Sequence, residues 1–189
     1  MSRLRAVSAL LGFAAVLPAC ANTTVATVGC RPDQYALVLS AQAVPSATMI
    51  PCIAELPAGW AFSGSEFGDG TSRFWLDSDR AGIRAVEVDL TATCDTSRAV
   101  EIAPAPDEAG AHVYSEPLTL RPALAANRYI VYPGGCVTYR YRFEAGASST
   151  LSLEAEEALG FLPRADLVRD VRERLGQTLC GAEAPPCDG

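Results

Sequence analysis

Between about residues 34 and 155 the chain alternates apolar and polar positions with a period of two. Val86, Val88 and Leu90 alternate with Glu87, Asp89 and Thr91, the pattern of a strand with one buried face. Trp60 and Phe62 alternate with Ala61 and Ser63. A Gly68-Asp69-Gly70 turn then leads into Ser72–Asp77, so this pair predicts a hairpin. The clearest element is RYIVY-PGG-CVTYRYRF. Arg128–Tyr132 forms one strand, Pro133-Gly134-Gly135 reverses the chain, and the return strand puts Val137, Tyr139, Tyr141 and Phe143 on one face. Thr138, Arg140 and Arg142 point the other way. The apolar runs Tyr35–Ser40 and Ala47–Ile53 are read into the same β pattern. Pro51 has no N–H for a ladder, which places the second run at an edge or a bulge. The loop APAPDEAG at 103–110 reads as a surface connection, since strand-like sequence resumes on both sides.

The period changes near the C-terminus. Leu167, Val168, Val171 and Leu175 recur at helical spacing, with Arg169, Asp170, Arg172 and Glu173 mostly outward. Pro163 suits a first turn and Gly176 a stop, so one helix is predicted over 163–176. Short connections between strands favour antiparallel pairing. The expected fold is mainly β: an antiparallel β-sandwich with one C-terminal α-helix, with a small β-barrel as the alternative.

The N-terminus follows another logic. Arg3 and Arg5 precede an apolar run from Ala6 to Leu17, and small residues follow. That is the layout of a secretory signal, too short to span a bilayer as a stable helix. Leu17-Pro18-Ala19-Cys20 resembles the bacterial lipobox, in which the cysteine is lipidated, although Pro18 departs from the usual residue there. Ala19-Cys20-Ala21 also fits ordinary signal peptidase, which would release a soluble chain from Asn22. The lipobox is the preferred reading. It makes residues 1–20 a signal peptide ending at Cys20 and residues 21–29 a tether of about 30 Å when extended. Residues 30–189 form a single domain. Several acyl chains on Cys20 would anchor the protein stably, each buried CH₂ contributing about 0.8 kcal/mol.

The cysteine count supports export. Seven cysteines are present, and removing Cys20 leaves Cys30, Cys52, Cys94, Cys136, Cys180 and Cys187. Six permit three disulfides with no spare thiol. Pairing sequence neighbours gives Cys30–Cys52, Cys94–Cys136 and Cys180–Cys187, each contributing on the order of 2–4 kcal/mol. No C-x-x-C pair occurs and His112 is the only histidine, which leaves a zinc cluster little to work with.

Charge narrows the partners. Loss of Arg3 and Arg5 takes the formal net charge from −7 to −9, which argues against nucleic acid and against an anionic membrane surface. Membrane contact would come through the lipid anchor. All fifteen basic residues are arginine, so lysine Schiff-base and general-base mechanisms are excluded.

Signals for catalysis are weak. His112 has no G-x-S-x-G elbow to serve. Glu154, Glu156 and Glu157, Asp77 and Asp79, and Glu87 and Asp89 are close in sequence, yet such neighbours more often form a solvated acidic row than an acid/base pair. Asp77-Ser78-Asp79 lacks the remaining spacing of a calcium loop, and no phosphate loop or dinucleotide fingerprint occurs. No catalytic residue, metal or cofactor is assigned. Trp60 and Trp75 are candidate partner-binding residues, with a core role the simpler alternative.

The segments LDSDRAGIRAVEVDLTATCDTS (76–97), RYIVYPGGCVTYRYRF (128–143) and GFLPRADLVRDVRERL (160–175) resemble a family of uncharacterised actinobacterial cell-envelope proteins. The resemblance implies an envelope location and a Cys94–Cys136 bridge, and it carries no activity. The functional expectation is a non-enzymatic envelope lipoprotein at the outer face of the cytoplasmic membrane, binding a protein or cell-wall partner. A carrier of a small apolar ligand or lipid is the alternative. An unfamiliar carboxylate-based hydrolase, with Asp77 and Glu87 converging at raised pKa, is the third reading.

Overall fold

The computed structural model describes residues 28–182, which fold into nine strands and three α-helices. In chain order these are α1 (Tyr35–Ala43), β1 (Met49–Ile53), β2 (Trp60–Gly68), β3 (Thr71–Ser78), β4 (Gly82–Thr91), β5 (Val100–Ile102), β6 (His112–Thr119), β7 (Ala125–Tyr132), β8 (Gly135–Arg142), α2 (Leu151–Ala158), β9 (Leu159–Pro163) and α3 (Arg164–Leu175). The fold is mainly β and sandwich-like, with two antiparallel sheets and a C-terminal helix. The main sheet has seven strands in the order β2-β3-β4-β8-β7-β6-β5, and β1 and β9 form a two-stranded sheet. The seven-stranded sheet stays open at β2 and β5, so the closed-barrel alternative is not the architecture adopted.

The hairpins follow the alternation. β2 and β3 turn at Asp69-Gly70, and β7 and β8 turn at Pro133-Gly134, with Tyr132 opposite Gly135. Gly134 is required there: its φ is 71°, and a Cβ would lie 1.9 Å from the Ser46 carbonyl oxygen. After β4 the chain crosses to the far edge and returns strand by strand, so that β8 pairs with β4. Two disulfides pin this path, Cys30–Cys52 and Cys94–Cys136. Cys180 is also disulfide-bonded; Cys187, its expected partner, lies outside the described residues. Closed disulfides are those of a protein that matures in an oxidising, extracytoplasmic environment.

Several local expectations are corrected. Tyr35–Ser40 belongs to helix α1, not to a strand. Its buried residues, Ala36, Leu37, Ser40 and Ala41, recur at helical spacing. The contiguous apolar run carried no period that could separate the two states. Residues 151–158 also form a helix, burying Leu151, Ala155 and Ala158. The segment before the predicted C-terminal helix is strand β9, which pairs with β1 in the two-stranded sheet and leaves Pro51 on an edge strand. The C-terminal helix itself spans Arg164–Leu175, with Pro163 at its N-cap and Gly176 left-handed at its C-cap, φ 64°. The domain begins before residue 30: Val28 is buried and Gly29 bridges Ile53.

The core lies between the main sheet and the layer of helices and the two-stranded sheet. Phe74, Leu76, Val86, Val88, Leu90, Ile130, Val137, Tyr139 and Tyr141 meet Leu37, Ala41, Ile50, Leu162 and Leu167 there. One cation is buried at its margin. Arg164, 1% exposed, donates from Nη1 to the Ala41 carbonyl at 2.6 Å and from Nη2 to that of Cys180, tying α1 to the C-terminal segment. No described helix is long and apolar enough to cross a membrane.

Candidate functional site

The main sheet's second face carries a polar surface that the alternation predicts only in outline. Strand register places two adjacent rows straight across five strands. One runs Trp75, Glu87, Arg140, Asn127, Glu116, and the other runs Arg73, Asp89, Thr138, Tyr129, Tyr114. Each residue is the cross-strand neighbour of the next, so side chains of opposite charge stand within bonding reach.

The rows form two linked networks. In the first, Asp89 is 2% exposed and pairs with both Arg73 and Arg140. Glu87 accepts from Arg140 Nη1 at 2.6 Å through Oε1 and from Trp75 Nε1 at 2.7 Å through Oε2. In the second, Glu116 Oε2 accepts from the Tyr129 hydroxyl at 2.6 Å and from Asn127 Nδ2 at 2.9 Å, and its Oε1 lies 3.1 Å from Arg98 Nη2. Arg142 Nη2 donates to Asn127 Oδ1 at 3.1 Å. Between the networks lies a depression of about 290 Å³ lined by Asp89, Thr138, Arg140, Tyr129, Arg98 and Asp95. Its roof is the segment 92–99, fastened where Cys94 bonds Cys136 of β8.

Electrostatics favour the ionised forms of Glu87 and Glu116. Burial pushes the Glu87 carboxyl up, and the bonds from Trp75 and Arg140 with the charge of Arg73 outweigh it, leaving its pKa below the ordinary value. The bonds from Tyr129 and Asn127 hold Glu116 low in the same way. A depressed Glu87 is the opposite of what an acid catalyst needs. Asp77 is engaged elsewhere, its Oδ1 accepting from the Arg84 backbone N–H at 2.7 Å.

The remaining sequence candidates separate. Trp75 lies on this polar face, with the Arg84 guanidinium 4.5 Å from its ring centroid. Trp60 faces the core, near Phe143 at 6.5 Å between ring centroids, and its Nε1 donates to Glu154 Oε2 at 3.4 Å. The two tryptophans occupy opposite faces and make no shared platform. His112 is exposed at the β5–β6 edge, its Nδ1 2.9 Å from Glu101 Oε1. Glu154 pairs with Arg80, at 2.5 Å, while Glu156 accepts from the Tyr141 hydroxyl at 2.8 Å. Among the described residues no group of three or more His, Cys, Asp or Glu is placed to hold a metal. Cys20 lies outside the described residues.

Sequence reading missed Glu108, Arg128, Tyr129, Glu116 and Asn127. Glu108 is the sharpest case. The loop read as a surface connection contains a 3₁₀ turn at Pro106–Glu108, which buries Glu108 against Arg128 at 2.7 Å. The signal available was an acidic residue two places after a proline, the start of a turn that can fold back on itself.

No protein-family model matches the chain, and no curated protein matches it. Among solved structures it is similar to a protein of Bacteroides thetaiotaomicron VPI-5482, with 10% sequence identity and a TM-score of 0.34. The match covers 71% of this chain and 61% of that one, a likeness too slight to carry an argument.

Proposed function

We propose that this protein is a non-enzymatic cell-envelope lipoprotein, anchored through Cys20, that binds a cell-wall partner with the polar face of its seven-stranded sheet. Membership of the actinobacterial envelope family is part of the same reading. The observation that carries it is the double row of paired charges around Asp89, on a face that no described helix or second sheet covers. Burying an ion pair rarely stabilises a fold more than apolar residues in the same place would. A carboxylate 2% exposed between two arginines is therefore better explained by recognition than by folding. Planar guanidinium and carboxylate groups beside Trp75 and Tyr129 supply the oriented donors and acceptors that a polyhydroxylated wall polymer needs.

Co-sedimentation with purified cell-wall sacculi tests the binding. The oxidised mature protein is expected in the pellet, and Arg98→Ala, which removes an exposed cation at the rim of the depression, is expected to weaken association by about tenfold. Protein that stays in the supernatant, or a variant that sediments like the parent, would reject the wall-binding assignment. Intact mass of membrane-extracted protein tests the anchor: acyl chains on Cys20 support it, and a chain starting at Asn22 removes it.

A further inference from the structure

We propose that the cavity between α2 and the inner face of the main sheet binds a small primary ammonium compound with a short apolar tail. The cavity measures about 270 Å³. Four ionisable side chains reach it, Glu108, Arg128, Glu156 and Glu157, together with the hydroxyl-bearing Tyr139 and the apolar Leu153 and Leu159.

The charges are unequal. Arg128 Nη2 donates to both oxygens of Glu108, at 3.0 and 2.7 Å, and Glu108 Oε2 also accepts from the Ala105 backbone N–H at 2.8 Å. Arg128 Nη2 and the Glu108 carboxylate therefore satisfy one another, while Arg128 Nε is buried without a hydrogen-bond partner among the described residues. Glu156 keeps one oxygen on the Tyr141 hydroxyl and holds the other 3.8 Å from Arg128 Nη1. Glu157, on the exposed rim, pairs with no described cation. Three carboxylates against one guanidinium leave two negative charges in excess.

Tyr139 is the independent sign of a ligand. It is 3% exposed and lines the cavity, yet its hydroxyl takes no hydrogen-bond partner among the described residues. A buried hydroxyl without a partner is costly unless something in the cavity bonds to it. Burial, with the nearby Glu108 and Glu156, raises its pKa and keeps it a neutral phenol.

The chemistry selects the ligand class. An ammonium group carries three donors, and Glu156 and Glu157 from α2 and the Tyr139 oxygen from β8 are acceptors lining the cavity. Leu153 and Leu159 offer an apolar wall for a tail. An anion meets repulsion from the excess charge. A metal ion finds no set of three ligating groups here among the described residues.

The inference stands apart from the wall-binding proposal, because the cavity and the polar rows lie on opposite faces of the sheet. Its test is a titration of isotopically labelled mature protein with n-butylammonium, n-butanol and butyrate at constant ionic strength. Leu153 and Leu159 methyl signals and the Tyr139 ring signals are followed. Saturable shifts with butylammonium are expected, with affinity at least about tenfold above that for butanol or butyrate. Glu157→Gln and Tyr139→Phe are each expected to weaken butylammonium binding several-fold, while Arg98→Ala leaves it unchanged. Absence of saturable shifts, equal response to the three probes, or parental affinity in both cavity variants would overturn it.

Discussion

The two faces of the seven-stranded sheet are made by the same strands and follow opposite rules. On the inner face, Phe74, Val88 and Val137 are buried among apolar neighbours, and the face turns polar at the buried Ser40–Ser72 hydroxyl pair and at the cavity beneath α2. On the outer face, Arg73, Asp89 and Thr138 occupy the alternate positions, and Asp89 and Thr138 are buried as completely as the core. Dispersion and apolar burial hold the first face together. Paired charges and hydrogen bonds hold the second, where desolvation takes back much of what the Coulomb attraction gives. Similar burial therefore implies stability on one side and specificity on the other.

Removing packing from the inner face should have the largest effect. Phe74 is 1% exposed and stands across from Val88. Phe74→Ala is expected to cost about 3–5 kcal/mol, from lost apolar transfer and from the cavity left behind. Urea melts of the oxidised protein read this directly, and a loss near 1 kcal/mol would mean that the inner face collapses around the gap.

The outer face should respond less, and in a way that depends on how it is changed. Asp89→Ala leaves Arg73 and Arg140 without their shared carboxylate, but both arginines are about one-third exposed and can regain water. A loss of about 1–3 kcal/mol is expected. Replacing the three together, Arg73→Leu, Asp89→Val and Arg140→Leu, is expected to change stability by less than about 1 kcal/mol while abolishing sedimentation with wall material. If the triple variant instead loses as much as Phe74→Ala, the rows serve folding, and the physical motive for a recognition face is gone.

These contrasts show what one sequence exposes. The β hairpins were legible because alternation and turn residues agree locally, as in RYIVY-PGG-CVTYRYRF. The neighbour pairing of cysteines also proved readable for Cys30–Cys52 and Cys94–Cys136. Helix α1 was not legible, since YALVLSAQA has too little polar punctuation to show a period. The candidate site was half legible. Alternation assigns Glu87, Asp89 and Arg140 to the outward face correctly. It cannot show that 92–99 folds back over them, or that β8 sits beside β4 rather than elsewhere, because both depend on a crossover distant in sequence. Trp60 and Trp75 carried no face label at all. The bulge between Phe62 and Gly64 and the pairing with β3 decide their sides.

The pH dependence of stability gives the gentlest test, because Glu87 on the outer face and Tyr139 and Tyr141 on the inner face weigh on different limbs. Glu87 and Glu116 on the outer face have folded pKa values below the ordinary value of 4.5. Their contribution is present in full above the unfolded pKa and is lost as pH falls through the folded values, where the unfolded chain has already taken up its protons. Tyr139 and Tyr141 on the inner face have pKa values raised well above 10.0, burial being the main cause. Above that pH the unfolded chain ionises first, so their contribution is present below about 10 and is lost as pH rises towards the folded values. Outer-face Tyr129 is raised as well, and Glu154 beside Arg80 is lowered, so each limb keeps a remainder when one face is altered. Urea midpoints measured from about pH 3 to pH 11 should fall at both ends. Glu87→Gln should flatten the acid limb and leave the alkaline one unchanged, and the pair Tyr139→Phe and Tyr141→Phe should do the reverse. A limb that responds to both changes would mean the two faces are energetically coupled through the strands they share, and the division of labour between them would have to be given up.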